Sequence, residues 1–165
     1  MTTTHPVPTT RFNGRALHLI DLENLAGGPA VDVDEIARTW AAYRGGVPQT
    51  ESDHVMVGSC SLFARKAWWV LPATGVQRRV RDGADGGELS LLDDLDLEQT
   101  ARRFQRLVIA SGDGMFTETA LRARALGMHV HHVTGHGRPA RRLLAAVTTR
   151  SRLRLSTPAV SPVAA

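Results

Sequence analysis

Residues 106–134 read RLVIASGDGMFTETALRARALGMHVHHVT, and this stretch decides the fold of the 165-residue chain. The run at 106–111 is short and apolar, as in a buried strand, and 128–133 has the same character. Between them, helical spacing extends from about 114 to 126 and ends at Gly127. A strand, a helix and a second strand in this order predict parallel strands joined by a crossover helix.

The same alternation continues on both sides of this stretch. Strand patterns occur at 16–20 (ALHLI), 54–59 (HVMVGS) and 76–80 (VQRRV), and helical patterns at 32–44, 61–71, 88–95 and 138–149. Apolar strands alternating with helices predict an α/β fold, a three-layer α/β/α sandwich with a mostly parallel central sheet. One domain is expected over 14–155, between a disordered lead at 1–13 and a disordered tail at 156–165.

Several classes of protein are disfavoured by the composition. Cys60 is the single cysteine, so neither a disulfide framework nor a thiolate zinc cluster is expected. No apolar run approaches the length of a membrane span, and the opening residues MTTTHPVPTT lack the apolar core of a secretory signal. The sequence therefore predicts a cytoplasmic protein without a membrane partner.

Charge is distributed unevenly along the chain. All 16 acidic residues lie in 1–118, whereas 119–165 contains arginines and no acid. In this C-terminal part, Arg138, Arg141 and Arg142 are the expected contacts to nucleic-acid phosphates. A codon bias towards arginine is the alternative explanation, because Lys66 is the only lysine of the chain.

Acidic residues follow two of the predicted strands directly. Asp21 comes after ALHLI, and Asp113 comes after RLVIA within the turn sequence SGDG. A further group lies in the loop and helix between them: Asp85, Glu88, Asp93 and Asp94. Carboxylates brought together at the strand ends repel one another unless a cation lies among them, and hard oxygen ligands favour Mg²⁺ or Mn²⁺. Capping of the following helix is an alternative role for Asp113.

Three segments resemble a known family: ALHLIDLENL at 16–25, GGELSLLDDL at 86–95 and RLVIASGDGMFTETALRARALGMHV at 106–130. They are similar to the NYN-domain branch of the PIN-like ribonucleases. Its pattern runs from a strand into D-x-x-N, to a glycine-preceded acid that enters a helix with a further Asp, and to a strand entering S-G-D-x-D-F. The resemblance covers roughly 15–150 and keeps the family's order of motifs.

The resemblance implies a PIN-like fold that cuts RNA with Mg²⁺ or Mn²⁺ held by acidic residues. It places the metal-binding acids at Asp21, Glu88, Asp93 and Asp113, and the polar partner of the first motif at Asn24. These five residues are the candidate catalytic set. The expected partner is RNA, in single-stranded form, and the oligomeric state is left open between a monomer and a homodimer.

The chain departs from the family pattern at two positions. Met115 stands where the family often has a second Asp, and Glu88 stands where Asp is common. Asp85 is the alternative to Glu88 if the register is shifted. Glu88 and Asp93 are five residues apart, so on one regular helix they point about 140° apart and converge only if Glu88 lies in the loop. The sequence predicts a metal-dependent endoribonuclease, with a non-catalytic RNA-binding or protein-interaction module as the alternative.

Overall fold

Six parallel strands form the central sheet of the protein in the computed structural model, which describes residues 14–155. The strands are β1 (Ala16–Asp21), β2 (His54–Ser59), β3 (Gln77–Val80), β4 (Arg106–Ala110), β5 (His129–Thr134) and β6 (Thr149–Arg152). Their order in the sheet is β3-β2-β1-β4-β5-β6. The segments 1–13 and 156–165, expected to be a lead and a tail, lie outside the described residues.

Helices cover both faces of this sheet. They are α1 (Leu22–Ala26), α2 (Val33–Gly46), α3 (Ser61–Ala67), α4 (Gly86–Leu92), α5 (Leu97–Arg103), α6 (Thr117–Ala125) and α7 (Arg141–Ala146), with a 3-10 turn at Gly114–Phe116. None of the helices in 14–155 is both long and apolar enough to cross a lipid bilayer.

Alternation along the strands divides the core into two halves. Ile20, Val57 and Val108 pack with α1, α2 and α3 on one face of the sheet. Leu19 and Ile109 pack with the remaining four helices on the other face. The predicted three-layer α/β/α sandwich is confirmed, and the sheet is parallel throughout.

Several elements differ from the sequence-based expectation, among them the short helix α1, for which no helix was predicted. The helix predicted over 138–149 is shorter, Arg141–Ala146, and β6 follows it as an additional edge strand. The sequence of β6 is TRSR, which lacks the apolar alternation by which strands are recognised, and polar edge strands of this kind resist unwanted pairing. Helix α5 was also not predicted, although Asp96 accepts a hydrogen bond from Gln99 N at its start, in a recognisable capping pattern.

The strand order creates a crevice at one end of the sheet. From β1 the chain continues outward through β2 to β3, and it then returns to β4 on the other side of β1. In parallel α/β sheets, ligands bind outside the carboxyl ends of the strands where the order reverses in this way. Asp21 ends β1 at this point, and Ser111 directly follows β4.

Helix α4 approaches β2 unusually closely because both carry glycine at the contact. A β-carbon added to Gly58 would overlap the Gly87 carbonyl oxygen and the Leu91 side chain. A β-carbon added to Gly86 would overlap the Arg81 carbonyl oxygen. This close contact determines how near the first turn of α4 lies to the end of β1.

We therefore expect Gly58→Ala to push α4 away from the sheet and to lower the free energy of unfolding by about 1–3 kcal/mol. Gly45→Ala is the matched control, because an added β-carbon at Gly45 in α2 meets no atom within 4 Å. It should be neutral or stabilising by up to about 1 kcal/mol. Urea unfolding of both variants tests this, and equal effects at the two glycines would contradict it.

A buried polar network lies nearer the amino ends of the strands. His18 Nδ1 lies 2.7 Å from the Tyr43 hydroxyl, and His18 Nε2 lies 3.3 Å from Asp53 Oδ2. Arg106 Nη2 lies 3.5 Å from the same carboxylate oxygen. Burial lowers the pKa of His18 to about 4, so the imidazole is neutral at pH 7. Tyr43 then donates to Nδ1, and Nε2–H donates to Asp53.

This lowered pKa predicts that the free energy of unfolding decreases as the pH falls. Because the unfolded chain protonates His18 near pH 6.5 and the folded protein only near pH 4, the contribution of His18 to stability is complete above pH 6.5 and is lost by pH 4. Its size is at most about 3 kcal/mol. The difference in unfolding free energy between wild type and His18→Gln should therefore narrow from pH 7 to pH 4, and a constant difference would contradict the assignment.

Candidate functional site

Two carboxyl groups meet at the crevice between β1 and β4. Asp21 is only 2% exposed, and the Glu88 carboxyl in the first turn of α4 is near enough to hydrogen-bond to it through one shared proton. Burial, followed by the charge of Glu88, raises the pKa of Asp21 well above its ordinary value. Two ionised carboxylates are unstable in this arrangement, so the site favours either a proton or a cation between them.

Hydrogen bonds from both neighbouring elements hold Asp21 in place. The backbone N–H of Asn24 donates to Asp21 Oδ1 at 3.1 Å, so Asp21 also caps the short helix α1. The Ser111 hydroxyl donates to Asp21 Oδ2 at 3.0 Å from the loop after β4. These bonds favour the ionised carboxylate, but burial and Glu88 outweigh them in setting the direction of the pKa shift.

The loop after β4 connects this pair to Asn24 and Asp113. Gly112 N–H donates to Asn24 Oδ1 at 2.8 Å, and Asp113 N–H donates to the Ser111 hydroxyl at 3.1 Å. Asp113 Oδ1 accepts a hydrogen bond from Met115 N at 2.6 Å, so this side chain caps the 3-10 turn, as its alternative role predicted.

Two adjoining cavities open onto these residues. A cavity of about 350 Å³ is lined by Asp21, Asn24 and Glu88, and also by Glu23, Cys60 and Asp85. A second cavity, of about 600 Å³, is lined by Asn24, Asp113, His136 and Arg138. Asn24 lines both cavities, so it lies between the carboxyl pair and Asp113.

Asp93 is not brought to this group. It directly follows α4, its carboxylate pairs with Arg81, and it lines a separate small pocket. The physical reason is the start of the helix: α4 begins at Gly86, so Glu88 lies within it rather than in the loop, and the rotation between Glu88 and Asp93 separates their side chains. Asp85, the alternative to Glu88, lines the cavity with an exposed side chain and a left-handed backbone (φ 55°).

The three arginines predicted to contact phosphates are separated by the structure. Arg138 and Arg141 line a third cavity together with Arg150 and Arg152 of β6. Arg142 instead packs against the backbone of the 3-10 turn, where its Nε donates to the Gly114 carbonyl at 3.3 Å. Arg150 and Arg152 were not assigned to the phosphate contacts, because no strand was predicted at 149–152 and the predicted helix ended at 149.

The carboxyl pair suits a hard divalent cation that takes only one or two of its ligands from the protein. Mg²⁺ is commonly bound through one or two carboxylates and keeps several water ligands, and Mn²⁺ accepts similar oxygen donors. Within residues 14–155, no group of three or more His, Cys, Asp or Glu side chains is arranged to hold a metal ion. The donors present therefore match a two-carboxylate site rather than the four-acid set expected from the sequence.

Ser111 was also missed as a functional residue. It lies between RLVIA and the glycine of the SGDG turn, and its buried hydroxyl both donates to Asp21 and accepts from Asp113 N–H. A serine directly after a strand that neighbours β1 is the signal that could have placed it at the site. Its position in the sheet, rather than its residue type, gives it this role.

Comparisons with known proteins establish the fold and no function. No family model and no curated protein matches this chain. A crystal structure of a protein of unknown function from Vibrio parahaemolyticus is similar, with a TM-score of 0.54 and 17% sequence identity over 84% of this chain and 92% of that chain. At this identity the likeness shows a shared α/β architecture alone.

We expect Asp21→Asn to stabilise the protein, because the raised pKa of Asp21 marks a carboxylate that the fold holds unfavourably. The sign follows from linkage: the unfolded chain releases this proton near pH 3.9, whereas the folded protein retains it to higher pH, so wild-type stability falls as pH rises between these values. The gain in Tm should be absent at pH 3.5 and should increase as the pH is raised to 8.

Asp93→Asn is the control, because its exposed carboxylate pairs with Arg81 and gains nothing from neutralisation. Thermal unfolding with MnCl₂ completes the test: the ion should raise the Tm of wild type and of Asp93→Asn, but not that of Asp21→Asn. A destabilised Asp21→Asn protein at pH 8 would contradict the assignment of a strained carboxyl pair.

Proposed function

We propose that this protein is a metal-dependent endoribonuclease whose Mg²⁺ or Mn²⁺ ion is held by Asp21 and Glu88. The pair formed by buried Asp21 at the end of β1 and half-buried Glu88 in the first turn of α4 is the observation that carries the proposal. Such a pair costs stability in the empty protein, and a divalent cation both relieves the repulsion and supplies chemistry for phosphodiesters. The resemblance of the three sequence segments to NYN-domain ribonucleases supports the same activity.

Each surrounding residue has a distinct part in this proposal. A bound cation lowers the pKa of a coordinated water and neutralises charge on the phosphate. Ser111 and the Asn24 N–H fix the orientation of the Asp21 oxygens. Because Asn24 Oδ1 accepts from Gly112, its Nδ2 is left as the donor for a phosphate oxygen. Asp113 lines the cavity on the far side of Asn24 and would add negative charge near a bound cation.

A non-catalytic RNA-binding module is the second candidate. It is favoured by the small number of acids at the site and by Met115, which stands at a position where the NYN family often has Asp. Asp113 Oδ1 is also occupied as a cap. In this alternative, the same crevice and the arginines near it hold RNA without cutting it.

The test is a cleavage assay on end-labelled single-stranded RNA with Mn²⁺, using Asp21→Asn, Glu88→Gln, Asp113→Asn and Asp93→Asn. Loss of either inner carboxylate should lower the rate by at least about 100-fold, since even outer residues of metal sites contribute 10–100-fold. Asp113→Asn should fall in that lower range. Asp93→Asn should keep the wild-type rate within about twofold, because its carboxylate lies with Arg81 away from the site.

The outcomes separate the two candidates. Equal cleavage by wild type and Asp21→Asn would show that the assigned site does not perform the reaction. If no protein cleaves but all shift the labelled RNA in a binding gel, the non-catalytic module is correct. A loss of activity in Asp93→Asn equal to that in Glu88→Gln would restore the four-acid arrangement expected from the sequence.

A further inference from the structure

A cleft lined by four arginines lies beside the candidate metal site, and we name it the arginine cleft. Its volume is about 560 Å³, and Arg138, Arg141, Arg150 and Arg152 line it from the loop after β5, from α7 and from β6. No acidic side chain is among the residues that line it. Three separate chain segments thus bring four positive charges to one concave surface.

Three of these guanidinium groups are available to a ligand. Among residues 14–155, Arg138, Arg141 and Arg150 form no ion pair with an acidic side chain, and all are exposed. Other exposed arginines of the protein, such as Arg81 and Arg122, do pair with acids. Like charges gathered without counter-charges favour the binding of an anion.

Arg152 has a different part, since it organises the cleft. Its Nη1 donates to the Gly135 carbonyl at 2.9 Å, and its Nη2 donates to the Gly137 carbonyl at 3.3 Å. These bonds hold the loop that carries Arg138, and Gly137 adopts a left-handed turn (φ 76°) within it. The cleft is therefore partly organised before any ligand binds, which lowers the entropy lost on binding.

The arginine cleft is physically connected to the carboxyl pair. Arg138 lines both this cleft and the cavity that contains Asn24 and Asp113. Buried His132 of β5, the strand next to β6, donates from Nε2 to the Ser111 carbonyl at 2.8 Å, and the Ser111 hydroxyl donates to Asp21. A long polyanion can therefore extend from the carboxyl pair into the cleft along one continuous surface.

We propose that the arginine cleft binds backbone phosphates of RNA next to the nucleotide at the candidate metal site. The inference rests on the proposed function for its choice of RNA as the polyanion. Backbone phosphates suit the cleft because arginine guanidinium groups bind phosphate oxygens through paired, charge-assisted hydrogen bonds. Such contacts position the strand without reading its sequence. Arg141 and Arg150 contact phosphate directly, and Arg152 is a positioning residue.

The experiment measures binding of fluorescein-labelled oligouridine by anisotropy in EDTA, over a series of NaCl concentrations. The double variant R141Q/R150Q should bind at least tenfold more weakly than wild type, and the slope of log K against log [NaCl] should fall by about 1.4, or about 0.7 for each lost contact. The control R102Q/R103Q removes the same charge from exposed arginines at the end of α5, next to the amino end of β4. It should change affinity by less than about twofold.

Working without divalent ions keeps this result independent of catalysis. If the protein proves to be no nuclease but R141Q/R150Q loses binding selectively, the cleft stands and only the ribonuclease proposal fails. If wild type cleaves RNA while R141Q/R150Q binds like wild type, the cleft proposal is overturned and the nuclease remains. Equal losses in both double variants, or no binding of RNA by wild type in EDTA, would also overturn it.

A final arm distinguishes RNA from free phosphate as the source of the anion. Sodium phosphate at matched ionic strength should displace the labelled RNA no better than NaCl does, because a single phosphate occupies one contact of several. Saturable binding of inorganic phosphate in the absence of RNA, lost in R141Q/R150Q, combined with unchanged RNA binding in that variant, would assign the cleft to a free phosphate instead.

Discussion

The approach of the Asp21 and Glu88 carboxyl groups is the constraint on which the functional end of this molecule depends. Bringing two acids together inside a protein opposes folding, because each loses hydration and each repels the other once ionised. The surrounding structure nevertheless enforces the contact. Gly58 and Gly86 let α4 lie close against the sheet, and Ser111 fixes the orientation of Asp21. The contact is unfavourable by itself, yet the fold maintains it. A bound cation, as proposed above, would make the free energy of this contact favourable.

The parallel sheet explains why such a site arises at this end. Parallel strands bring all their carboxyl ends to one edge, and the strand order reverses beside β1, which is where ligands bind in sheets of this kind. Polar residues after β1 and β4 therefore meet in space, although 90 residues separate Asp21 from Ser111. The opposite end carries the His18–Asp53 network, whose buried partners satisfy one another and line none of the cavities described above.

Sequence patterns predicted the parts of this arrangement that follow from position along one strand. The three layers and the strand-end positions of Asp21 and Asp113 could be located in this way, whereas Glu88 was implied by the resemblance to the NYN family, with Asp85 as its alternative. The sequence could not exclude Asp93 from the site. Whether Asp93 lies near Glu88 depends on whether α4 begins before or after Glu88, and the two cases differ by only a few residues in the start of the helix. The position of Arg150 and Arg152 in the arginine cleft could not be predicted, because β6 is a polar edge strand. Such a strand is defined by its pairing with β5 and not by apolar alternation in its sequence.

Pairing elsewhere on the surface explains why the two charged sites persist side by side. Arg79 and Arg81, the cations that precede α4, are engaged by Asp94 and Asp93, so neither neutralises the Asp21–Glu88 pair. Burial lowers the pKa of His132 in β5, and the charges of Arg150 and Arg152 add to that effect, so His132 brings no positive charge to either site at pH 7. Within the described residues, the negative charge of the Asp21–Glu88 pair and the positive charge of the arginine cleft are therefore not neutralised by neighbouring side chains. Under the function proposed above, a phosphodiester ligand with its cation would satisfy both, since its phosphates would bring the arginines a negative counter-charge and its metal ion would bring the carboxylates a positive one.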